Sequence, residues 1–129
     1  MTSPALIYLG CRRRIDADLR RERLLIGGLL HAGHVPEWVA DALLGGRAIG
    51  DRCLRTIYFA LRACPFSVSD LRRAARGNYT DGDLLRLARD AVSAAGLSDD
   101  VARVRAAYDR RAAINKKWKE LNTLMEINV

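Results

Sequence analysis

Between its glycine and proline breaks, this chain repeats apolar residues at three- and four-residue steps, the period of a helix with one buried face. Ile15, Leu19, Leu25 or Ile26, and Leu29 or Leu30 keep that step; so do Trp38, Val39, Ala42 and Leu43, and then Cys53, Leu54, Ile57, Tyr58, Ala60 and Leu61. Only Ala5 to Leu9 is β-capable, and one strand without a partner forms no sheet; the same five residues also suit the apolar start of a helix. The spacing therefore predicts an all-α chain. The expected architecture is a compact bundle of about six helices, including a helix-turn-helix-like pair and a long C-terminal helix. The 129 residues are the length of one domain. An apolar content of 50% is enough to close a core.

The breaks place the elements. Gly27-Gly28 falls inside the first helical stretch, where each glycine costs about 1 kcal/mol against alanine, so a close helix crossing or a kink is expected there. Gly33 supplies a stop, and Pro36 suits the first turn of the next helix, which Gly45-Gly46 closes. A third helix is expected over about Ile49 to Cys64, ended by Pro65. Ser67 with Asp70, and Thr80 with Asp83, have the spacing of capping boxes and open helices near 68–76 and 81–95. Gly96 ends the second of these. Ser98-Asp99-Asp100 puts carboxylates at the positive end of a last helix running to about Glu126, roughly 40 Å long.

That last helix outruns a body of about 13 Å radius. Its stripe of Val104, Ala107, Ile114, Trp118, Leu121 and Met125, with Tyr108 alongside, has the four- and three-residue spacing of a packed seam. The chain changes composition at the same place: all three lysines lie at 116, 117 and 119, and no arginine, alanine or glycine follows Ala113. Residues 1–113 are thus expected to form the helical body, and 114–129 an assembly or partner-binding segment. Ile114, Trp118, Leu121 and Met125 are the expected contacts, to a second copy or to another protein.

Charge points to a second kind of partner. Lysine and arginine number 22 against 15 aspartates and glutamates, a net charge of +7 and a pI near 9.9. Arginine dominates, and its planar fork suits phosphate. A short helix, a turn at Gly77 and a longer helix with Arg86 and Arg89 have the layout of a helix-turn-helix. In that layout Arg86, Arg89, Asn78 and Thr80 face the groove of double-stranded DNA, while Arg72, Arg73 and Arg76 reach phosphates. Arg12, Arg13 and Arg14 form a second basic cluster, interleaved with Asp16, Asp18 and Glu22, which can pair along a solvated face. Asp81, Asp83 and Asp90 oppose phosphate on the second helix. The segment from Asp70 to Leu97 resembles the helical half of winged-helix domains, although Ser98 to Arg105 reads as a helix start where a wing would stand. A helix-turn-helix followed by a long assembly helix also looks like the small terminase subunits that select viral DNA. The expectation is a small DNA-binding regulator of phage or mobile-element type, with a protein-binding adaptor or inhibitor docking through the last helix as the alternative.

Other chemistry finds little support in the sequence. His31 and His34 lack further ligands at zinc-binding spacing, so no metal is expected. Gly45 to Gly50 lacks the lysine and hydroxyl ending of a phosphate loop. The opening Ile7 to Gly10 and Ala32 to Val35 look like the first βα unit of nucleoside deoxyribosyltransferases, but no further parallel strands follow. No enzyme and no cofactor are expected. Cys11, Cys53 and Cys64 have no framework spacing, and Cys53 and Cys64 are expected as small core residues. A reduced, cytoplasmic setting is the expectation. Leu24 to Val35 is uncharged but shorter than the roughly 20 residues of a membrane span.

Overall fold

The structure, a computed structural model, describes residues 4–63, 67–75, 77–92 and 96–127, and at 4–15, 92 and 127 it describes the backbone alone. Six α-helices are present among the described residues: α1 (Pro4–Ala32), α2 (Glu37–Ala42), α3 (Arg52–Arg62), α4 (Val68–Ala75), α5 (Asp81–Val92) and α6 (Leu97–Ile127). A single 3-10 turn, Leu44–Gly46, follows α2. The fold is all-α, as the spacing predicts. Residues 5–9 continue α1 as helix, so the first helix begins at Pro4, well before Ile15. The third is trimmed to Arg52–Arg62, because the Asp51 carboxylate accepts a hydrogen bond from the Leu54 N–H at 2.9 Å and caps it there.

The long helices α1 and α6 run antiparallel. Gly28 lies against Leu97 at one end of their contact, and Asp18 lies near Arg110 and Arg111 at the other. The core gathers between them and the shorter helices. Leu25, Ile26 and Leu29 of α1 meet Leu54, Ile57, Tyr58 and Leu61 of α3, with Val39, Leu43 and Ile49 below and Val101 and Val104 of α6 completing it. Each large aliphatic side chain buried there contributes about 1.5–3 kcal/mol relative to exposure. On α2 the buried face is Val39 and Ala40, continued by Leu43, whereas Trp38 stays 48% exposed.

The glycine pair marks a crossing, not a kink. A Cβ on Gly27 would stand 2.1 Å from the Leu87 carbonyl oxygen, so α5 crosses α1 backbone against backbone. Packing of α5 is chiefly on α1, and packing of α4 is chiefly on α3. The two helices expected to act as a helix-turn-helix pair therefore form and follow one another through Gly77, but each is held by a different neighbour. Hydrophobic periodicity within a helix does not say which helix it meets.

Candidate interaction surface

Both capping boxes between α3 and α5 form. The Ser67 N–H donates to Asp70 Oδ2 at 2.9 Å and the Asp70 N–H to Ser67 Oγ at 3.2 Å. The Thr80 N–H donates to Asp83 Oδ2 at 2.9 Å and the Asp83 N–H to Thr80 Oγ1 at 3.1 Å. These bonds, backbone donors first, hold both carboxyls below the usual aspartate range. They also engage the Thr80 hydroxyl as an acceptor in starting α5.

Arg72 is engaged as well. Its Nε reaches both Asp81 oxygens at 3.1 Å and its Nη2 reaches Oδ2 at 2.7 Å, a bidentate clamp from α4 to the first turn of α5. Hydrogen bonding from Arg72 pulls the Asp81 carboxyl down. Arg73, Arg86 and Arg89 are exposed, and Asn78 is exposed beside Cys53. Arg76 lies outside the described residues, and the side chains of Arg12, Arg13 and Arg14 lie outside them too. An open cavity of about 550 Å³ joins Arg23 and Arg86 to Asp51, Asp83 and Asp90, so its walls carry more carboxylates than guanidiniums. Cys53 borders this cavity, half-buried and packed against the core; burial first, then the Asp51 charge, pushes its thiol pKa up. Cys64 lies outside the described residues.

A third group of charges anchors α6. Arg111 reaches Asp18 of α1 at 3.7 Å and donates to the Ala48 carbonyl at 3.3 Å, lying across Gly50 where a side chain would crowd it. Arg105 donates to the Ala42 carbonyl at 2.9 Å. Asp18 also meets Arg21 at 3.9 Å. Glu22, expected on a solvated face, is instead 5% exposed and accepts the Asp51 N–H at 2.9 Å. Its burial raises the carboxyl pKa, opposed by the backbone bonds from Asp51 and Gly50 and by the Arg111 charge.

Beyond Arg111 the helix leaves the body. Val104 and Ala107 are buried, yet every residue from Ala112 to Glu126 is exposed. Ile114 is 51% exposed, Trp118 61%, Leu121 52% and Met125 67%, so the four predicted contacts share one uncovered row. Leu124, 56% exposed, borders the row and was not among the residues singled out by spacing. Its three-residue step from Leu121 is the signal that identifies it. Arg105 and Arg111 as anchors have no sequence signal, because their partners lie 63 residues away.

Among the described residues no cluster of three or more His, Cys, Asp or Glu could hold a metal ion. His31 and His34 are both exposed, and a ring nitrogen of His34 lies 3.1 Å from the Ala32 carbonyl. No described helix is long and apolar enough to cross a membrane. No family model, curated protein or solved structure matches the chain.

Proposed function

We propose that this chain is a non-catalytic interaction protein, a helical body that holds out the second half of α6 for a partner helix. One observation supports this above others: an anchored helix projects an uncovered row of Ile114, Trp118, Leu121 and Met125. Large apolar side chains in one contiguous row mark interaction sites more often than scattered surface residues do. Trp118 near the middle of the row is the type of residue that dominates interface energy. The recognition mode is helix against helix, read at three- and four-residue anchors. A photoreactive phenylalanine analogue at position 118, in native cells, is expected to give a covalent protein adduct that disappears with Leu121→Glu. No adduct with any protein would sink this assignment.

Duplex DNA is a second reading, favoured by a separate observation: Arg73, Arg86 and Arg89 are exposed on α4 and α5 of a chain with net charge +7. Arg72 is poorly placed to join them while Asp81 holds it. Binding through phosphates weakens log-linearly with salt, by a slope of about 0.9 per phosphate neutralised. Arg86→Ala with Arg89→Ala is expected to lower that slope by roughly 2. An unchanged slope, or no detectable duplex binding at physiological salt, removes DNA as the partner.

A further inference from the structure

We propose that the occupant of the α6 row is a second copy of this chain, packed antiparallel over residues 112–127. The proposal rests on the assignment of α6 as an association surface and names its partner. The row steps by four, three and four residues, from Ile114 to Trp118 to Leu121 to Met125. That series reads the same from either end. A two-fold axis crossing the helix between Lys119 and Glu120 therefore lays the row on itself, with Ile114 facing Met125 of the second copy and Trp118 facing its Leu121. Large and medium side chains alternate across such a seam, as packing into holes requires.

Charge selects the antiparallel direction. Each copy carries +7. Parallel arms would bring two such bodies together at one end and set the two Lys116 to Lys119 clusters at the same height. Antiparallel arms separate the bodies by the overlap, about 24 Å for 16 residues at 1.5 Å each, which is roughly three Debye lengths at physiological salt. The edges of the seam agree with this direction. Lys117 and Leu124 flank one side, so antiparallel packing sets each Lys117 beside Leu124 of the other copy and covers its aliphatic stem. Asn115 and Asn122 flank the other side and meet amide to amide. No carboxylate stands on the seam or its edges.

The arm is ready to pair. A free helix of this length is marginal in water because its first turn is costly to form. Here that turn already exists, since α6 is nucleated in the body, where Val101, Val104 and Ala107 are buried and Arg111 is held by Asp18 and Ala48.

Sedimentation of the purified full-length chain at micromolar concentration tests the proposal. The expected mass is twice the 14.3 kDa of one chain. Leu121→Glu is expected to return it to one chain mass with the far-ultraviolet spectrum of the body retained, since position 121 is exposed. With the photoreactive analogue at 118 and isotope-mixed chains, the inter-chain adduct is expected at Leu121 of the second copy. A single-chain mass throughout overturns the proposal, as does a mass above two chains. An inter-chain adduct at position 118 overturns the antiparallel direction. If purified chains stay single while native cells yield an adduct with a different protein, the second copy is wrong and the association surface stands.

Discussion

Gly27 and Gly28 are neighbours with opposite tolerances. A methyl group on Gly27 would run into the Leu87 backbone at 2.1 Å, and backbone in a packed crossing cannot rotate aside. On Gly28 the nearest atom is the movable Leu97 Cδ1 at 3.2 Å. Gly27→Ala is therefore expected to cost about 1–3 kcal/mol or more, whereas Gly28→Ala stays within about 1 kcal/mol of neutral, helped by the better helix propensity of alanine. Denaturant unfolding of the two variants separates these outcomes. Glu22 sets a pH dependence. Its folded pKa lies above the ordinary 4.5, so the folded state binds the extra proton and stability falls as pH rises from about that value through the folded pKa. Glu22→Gln is expected to remove this fall in melts across that window; an unchanged profile would assign it to Asp100, also raised by burial. The glycine pair was legible in the sequence as a crossing or a kink. Glu22 was not, because its neighbours at 16 and 18 made it look like one of a surface set, and its partner Asp51 comes from a distant loop.

At the scale of the helix, local chemistry was readable and tertiary choice was not. Ser67 with Asp70 and Thr80 with Asp83 announce α4 and α5 by spacing alone, since each box closes within four residues. Thr80→Ala is expected to destabilise by about 1 kcal/mol, with faster amide exchange confined to the first turn of α5. The Arg72 to Asp81 clamp escaped notice because it spans nine residues across a turn, outside any helical register. The packing of α4 on α3 and of α5 on α1 escaped for the same reason. The row on α6 shows the converse: its spacing was visible from residues 114 to 125, but the same spacing from Val104 to Ala107 belongs to a buried face. Only the depth of the body decides where burial stops.

For the molecule as a whole, α6 has two halves with different duties. Val101, Val104 and Ala107 fill the core, and 112–126 fill none of it. A chain ending at Arg111 is expected to melt cooperatively within a few degrees of the full-length protein in dilute solution, with less helical ellipticity. A chain ending at Gly96 is expected to lose its cooperative transition, because the sides of α1 and α2 that pack on α6 would then face water. Circular dichroism of the two truncations checks both. The antiparallel contact of α1 with α6 joins segments made early and late in synthesis. The stretch of α1 from Asp18 to Gly28 that lies against α6 therefore waits for the first half of α6 to leave the ribosome, although α3 and α5, which also pack on α1, are made earlier. At roughly 5–20 residues per second, that interval lasts several seconds. Closing of the core therefore comes late, with α6, the last helix of the body to be made.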